Sequence, residues 1–149
     1  MKTTSVRFAL VMLIGCSLLS GCGGGSSSTT TPATPSLVGQ FRQTSIATSS
    51  ASANCPGSVL LADGTSDSCG SNDTIQFRAD NTFTETLSDG SQPQSGTWQF
   101  DGSTLTLKFS TATGGSTASI PAALSNGGNT LTFSYTQGRT AAKDIYARQ

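Results

Sequence analysis

Between Thr74 and Phe109 apolar residues recur at every second position in four short runs, and polar residues separate the runs. Ile75 and Phe77 form the first set, and Phe83 and Leu87 the second. Trp98 and Phe100 form the third, and Leu105, Leu107 and Phe109 the fourth. Successive side chains of a pleated strand point to opposite faces, so a period of two gives each run one apolar side. Asp80-Asn81 and Asp101-Gly102 lie between runs and are residue types that tolerate positive φ in two-residue hairpins. Four consecutive strands joined by hairpins form an antiparallel meander. The fold class that follows is all-β.

The rest of the chain extends this pattern. Leu37 and Phe41 share a side across Gly39, which suits a first strand. After the glycines at 114–115 come Ala118, Ile120, Ala122 and Leu124 on one face, with Pro121 implying an edge, a bulge or a strand end. Thr130–Thr136 alternates with Leu131, Phe133 and Tyr135 inward. Thr140–Arg148 reads as a closing strand with Ile145 or Tyr146 inward, against a short helix favoured by Ala-Ala-Lys-Asp. About eight strands result, the number at which an up-and-down barrel just encloses side chains or one small ligand.

The amino-terminal third has another character. Lys2 and Arg7 precede an apolar run from Phe8 to Leu19, too short to span a membrane and of secretory-signal length. Leu19-Ser20-Gly21-Cys22 resembles the bacterial lipobox, in which cleavage before the cysteine leaves it as the lipid-modified amino terminus. That resemblance implies a signal peptide over 1–21, lipidation at Cys22 and a membrane partner reached through the acyl anchor. Gly23 in place of an aspartate implies delivery to the outer membrane, with the domain facing the periplasm. Residues 22–36, Gly-, Ser-, Thr- and Pro-rich, are the lipidated cysteine and a tether. The barrel domain occupies 37–149.

Residues 45–72 are the least patterned part of the mature chain. They hold Cys55 and Cys69, which in an exported protein predict a disulfide; two cysteines without histidine are too few for a metal site. Asp63, Asp67 and Asp73 crowd the same loop, but their spacing lacks the order that surrounds a calcium ion, so a solvated acidic loop is expected. Val59-Leu60-Leu61, its one apolar run, predicts a short strand or a lid over the barrel mouth.

With these elements in place the chain resembles the lipocalin-like domain of small bacterial lipoproteins, within the wider calycin barrels. Gly39-Gln40-Phe41 carries the resemblance, with Cys69 ahead of Asp73-Thr74-Ile75-Gln76-Phe77. So do Ala79-Asp80-Asn81-Thr82-Phe83, Ser95-Gly96-Thr97-Trp98 and Leu105-Thr106-Leu107. It covers 37–148 and implies a non-covalent binding protein. Lipocalins pair a Gly-x-Trp on the first strand with a late arginine packed on the tryptophan. Here Phe41 stands in the aromatic position, and Arg139 and Arg148 are both open for the other role.

Chemistry is sparse in this sequence. The chain has no histidine, which removes the commonest general base and the commonest metal ligand. It has a single glutamate, and its lysines suit solvent-facing strand positions, so no catalytic residue, metal or cofactor is expected. Formal net charge is zero, and removing Lys2 and Arg7 leaves six basic against eight acidic residues. With no basic run, nucleic acid is not an expected partner. Glu85 alone breaks the apolar pattern, falling between Phe83 and Leu87. Either it is inward, contacting a ligand or an arginine such as Arg42, or a bulge or strand end carries it to water. Phe83, Glu85, Trp98 and Tyr135 are the candidate ligand residues, with Trp98 and Tyr135 equally suited to the core. The expected function is binding of a small apolar or amphipathic molecule. The rival is a protein-binding envelope lipoprotein, an assembly factor or an inhibitor of a lytic enzyme, with a filled barrel.

Overall fold

The structure, a computed structural model, describes residues 36–149. The leader, Cys22 and the tether up to residue 35 lie outside the described residues. Eleven strands follow in order: β1 Gly39–Thr48, β2 Ser52–Asn54, β3 Gly57–Leu60, β4 Ser66–Cys69, β5 Thr74–Phe77, β6 Thr82–Thr86, β7 Gln94–Phe100, β8 Thr104–Phe109, β9 Thr117–Ser125, β10 Thr130–Gln137 and β11 Thr140–Arg148. Strands β5 to β11 pair in sequence, β1 pairs β5, and β11 pairs back onto β1. Eight antiparallel strands thus close a barrel, which removes the open sheet edges that a meander would otherwise expose. Strand β2 hangs on the upper part of β1, and β3 and β4 form a separate hairpin.

Alternation makes the interior. Phe41, Ile75, Phe77, Phe83, Leu105 and Leu131 are at most 1 % exposed. They join Leu107, Phe109, Ile120, Phe133 and Tyr146 in one cluster. Of the two inward options on the closing strand, Tyr146 is buried and Ile145 only partly so. Pro121 is tolerated because β9 changes partners there: 117–121 pair with β8, and 122–125 pair with β10. The hairpin loops are longer than two residues, spanning 78–81 and 101–103. Asn81 and Gly102 do take positive φ, and the preceding aspartates accept backbone hydrogen bonds from Thr82 and from Ser103 and Thr104. Side-chain capping of the aspartate kind stabilises these wider turns.

One end of the barrel, the floor, carries the 78–81, 101–103 and 126–129 turns with both ends of the domain. Arg148 closes it. Its guanidinium lies 4.5 Å from the Phe41 ring centroid. Its nitrogens donate to the carbonyls of Gly128 at 2.9 Å, Val38 at 2.6 Å and Ser36 at 2.6 Å. Arg148, and not the exposed turn residue Arg139, therefore fills the arginine role. The close approach explains Gly39: a Cβ there would stand 2.2 Å from an Arg148 nitrogen, and φ is +146°. Phe41, Phe77 and Trp98 continue inward as two edge-to-face pairs at 6.2 and 5.4 Å.

Strand β1 runs seven residues beyond Phe41. A register shift between Gln43 and Ser45 sets Gln43 and Ile46 both facing inward, three positions apart instead of two. This bulge hides the strand from a period-two reading.

Candidate functional site

The end opposite the floor is the mouth, and the β3–β4 hairpin covers it. Val59 and Leu61 face inward, 4 % and 3 % exposed, and pack with Ile46 and Cys69, while Leu60 points to solvent at 69 %. The hairpin is tied on three sides. Cys55 and Cys69 form the disulfide across its base. Asp73 accepts from the Gly70 amide at 2.7 Å and from the Ser88 amide and hydroxyl at 2.7 and 2.6 Å, joining it to the β6–β7 loop. On the far side the Ala62 amide donates to the Thr140 hydroxyl at 2.9 Å. The apolar run at 59–61 is thus both strand and lid, because one side of a short hairpin buries on the barrel while the other stays wet.

The acidic loop differs from expectation. Asp63 is exposed, but Asp67 and Asp73 are only 3 % and 5 % exposed. Neither is a solvated loop residue, because a buried carboxylate persists where hydrogen-bond donors converge on it. For Asp73 the donors are Gly70 and Ser88. For Asp67 they include the Ser68 amide, 3.0 Å from Oδ1, and Tyr135, whose hydroxyl donates to Asp67 Oδ2 and also lies 3.1 Å from Asp144 Oδ1. Asp144 is 8 % exposed. Burial, then the two carboxylates, raises the Tyr135 pKa well above its ordinary 10.0. Three elements, β4, β10 and β11, thereby meet at one phenol.

Gln43 completes this end. It is 2 % exposed, stands opposite Tyr146 on β11, and is one inward step along that strand from Asp144. Neither its amide nitrogen nor its amide oxygen has a hydrogen-bond partner. A buried polar group in that state costs about 1–3 kcal/mol, so it marks a place where a partner belongs.

The four candidate ligand residues separate. Phe83 is fully buried and packs edge to face on Phe109 at 5.4 Å. Trp98 is half-buried near the floor, against Phe77, with its indole donating to the Arg78 carbonyl at 3.3 Å. Glu85 follows strict alternation: it pairs with inward Ile75 in an unshifted register and is half-buried toward the mouth. Arg42, its suggested partner, is exposed opposite Thr74 on the outer face, because it neighbours inward Phe41. Only Tyr135 joins the cluster beneath the lid. Sequence reasoning missed Gln43, Asp67 and Asp144. Asp144 had a usable signal, since it sits between inward Ala142 and Tyr146. A cavity of about 280 Å³ lies on the outer wall, lined by Thr97, Gln99, Thr106, Lys108 and neighbours.

Among the described residues no three acidic, cysteine or histidine side chains group to hold a metal ion. The site can accept hydrogen bonds and hold charge. No curated protein and no solved structure matches this chain. A family model, the lipocalin-like domain, matches residues 37–147, nearly all of the described barrel. With its closed eight-stranded meander, the chain belongs to the lipocalin-like domain family.

Proposed function

We infer that this is a lipid-anchored binding protein of the bacterial envelope, taking a small amphipathic molecule at the lidded end of its barrel. The anchor is supported by the lipobox-like Leu19-Ser20-Gly21-Cys22, with 1–21 as signal peptide and 22–36 as tether. Outer-membrane placement with the domain in the periplasm is supported by Gly23. Binding, and not catalysis, agrees with the family and with a chain lacking histidine. The observation that carries the ligand's place is Gln43, buried and unpartnered beneath a separate hairpin. The apolar floor is occupied by its own side chains, so a long hydrocarbon chain has no room there, and a short molecule that leads with a polar group fits better.

Native mass spectrometry of the full chain isolated from its producing envelope tests this. A small adduct released on denaturation is expected. A bare mass, with no uptake of a hydrophobic dye, would overturn it. The filled floor favours one rival in that event: a protein partner gripped by the ordered lid and loops, recoverable by crosslinking in the envelope.

A further inference from the structure

Four times in this chain an aspartate or asparagine precedes a glycine: Asp63-Gly64, Asp89-Gly90, Asp101-Gly102 and Asn126-Gly127. The last differs from the others. In the first three the aspartate side chain accepts a hydrogen bond from the amide two residues on, at 2.9, 2.8 and 2.8 Å, which holds it in its turn. Asn126 is exposed at φ 52°, and its side chain makes no hydrogen bond among the described residues. Gly127 is exposed beside it at φ 65°, and a Cβ built there would meet nothing within 4 Å. The Gly127 nitrogen therefore has no side chain to shield it, and the Asn126 carboxamide has no partner to hold it. The other asparagines, Asn54, Asn72, Asn81 and Asn129, precede Cys55, Asp73, Thr82 and Thr130, whose side chains crowd the following nitrogen. Two of those nitrogens are also committed, Cys55 to the Thr44 carbonyl and Thr82 to Asp80, both at 2.9 Å.

We propose that Asn126-Gly127 is a site of spontaneous covalent modification, where deamidation produces an isoaspartyl linkage that loosens the floor of the barrel. The Gly127 amide nitrogen, giving up its proton to base, attacks Asn126 Cγ. The N–Cγ bond forms, the Cγ–Nδ2 bond breaks, and Nδ2 leaves as ammonia with a proton taken from the medium. A five-membered imide results, and water opens it. Opening at Cγ gives aspartate; opening at the Asn126 main-chain carbonyl gives isoaspartate, with the chain running through Cβ and Cγ. Overall one water is consumed and one ammonia released. The 126–129 turn is closed by the Asn129 amide on the Asn126 carbonyl at 3.2 Å, and it serves Arg148 twice. The Gly128 carbonyl accepts from its Nε and the Asn129 carbonyl from its main-chain amide, both at 2.9 Å. Isoaspartate adds a methylene to the main chain inside that turn and converts the Asn126 carbonyl into a free carboxylate, so the register with Arg148 is lost. Aspartate keeps the main chain and tolerates positive φ as asparagine does, so the turn survives it.

The test is to hold the purified full chain at mildly alkaline pH, well below its melting temperature, and follow it by peptide mapping with mass spectrometry. Exchange of amide for acid is expected at Asn126 at least about tenfold faster than at any other asparagine, a barrier lower by about 1.4 kcal/mol. It should slow as pH is lowered, because the attacking nitrogen must lose its proton. The isoaspartyl fraction, separated by ion exchange and identified by enzymatic methylation of its free carboxylate, should melt about 4 °C or more below the untreated chain. Asn126→Asp, which is the aspartyl product made directly, should melt with the parent and, freshly prepared, take no methyl group. Earlier reaction at another asparagine, or none at Asn126, would overturn the site. An isoaspartyl chain that melts with the parent would overturn its link to the floor.

Discussion

The floor and the mouth of this barrel are built from the same strands, and they satisfy their polar groups differently. At the floor Arg148 spends its hydrogens on three backbone carbonyls and its face on Phe41, and the aromatic chain through Phe77 to Trp98 fills the space behind it. Beneath the lid the Tyr135 hydroxyl joins two buried carboxylates, but the side-chain amide of Gln43 has no partner. Closed, fully paired regions contribute stability. Regions with buried polar groups left short are where proteins accept a cost for function. The floor therefore reads as the anchor of the fold, and the mouth as the part that opens.

The comparison breaks first if Phe41→Ala is mild. Phe41 is fully buried and touches both the arginine and Phe77, so truncation leaves a cavity that β1 and β11 cannot collapse into. The expected loss is about 3–5 kcal/mol, read as a lower denaturation midpoint with hydrogen exchange accelerated across the whole barrel. Acceleration confined to the lid would show that the floor is not the anchor.

Next comes the disulfide. Replacing Cys55 and Cys69 together by serine removes a cross-link spanning 14 residues of sequence, with a loss of up to about 3 kcal/mol in the chain-entropy model. Because the linked segment is the lid, amides of 52–69 should exchange faster while those of β6 to β9 keep their protection. Uniform deprotection would mean that lid and barrel open as one unit.

Tyr135→Phe removes the hydroxyl that two buried aspartates share, and should cost about 1–3 kcal/mol at neutral pH. It also has a pH signature. The folded pKa of Tyr135 lies above the unfolded 10.0, first because of burial and then because of Asp144 and Asp67. A raised pKa stabilises the fold below pH 10.0 and loses that stabilisation as pH climbs beyond it, since the unfolded phenol ionises first. The parent should weaken above pH 10.0, and Tyr135→Phe should weaken less steeply. Identical alkaline slopes would show that the phenol is not held by the carboxylates.

The two ends also differ in how well the sequence announces them. From 74 to 109 apolar residues alternate, Glu85 aside, and the hairpins carry Asp with Asn or Gly, so the floor and the wall were legible in outline. At the mouth each signal is masked. The bulge at Thr44 spaces Gln43 and Ile46 by three, and in Ser66-Asp67-Ser68-Cys69 the inward aspartate is as polar as the outward serines. Hydropathy cannot register a face whose buried members are polar. Arg148 was equally hidden, since its role depends on β11 lying beside β1, a contact between the two ends of the domain that no local pattern encodes. Glu85 was legible only as a choice between an inward place and a bulge or strand end that carries it to water; the unshifted β5–β6 register, which pairs it with Ile75, shows no bulge there.

The smallest expected effect uses a turn that both ends share. Asp63 in the lid and Asp80 and Asp101 at the floor each accept hydrogen bonds from the residue two positions on, through a side-chain oxygen. All three carboxyls are held below their usual 3.8, Asp63 and Asp80 chiefly by the threonine hydroxyl and Asp101 chiefly by the Ser103 amide. A lowered pKa stabilises the fold above 3.8 and loses that contribution as pH falls through the folded value. The three groups are solvent-exposed, so each contribution is slight and what differs is its reach. Asp101→Ala loosens a hairpin within the closed barrel, and its effect should spread through β7 and β8 into the global melting temperature. Asp63→Ala loosens only the tip of the lid. Its amides, with Thr65 foremost, should exchange faster while the melting temperature holds. A lowered melting temperature would mean that the lid tip is part of the barrel's cooperative unit.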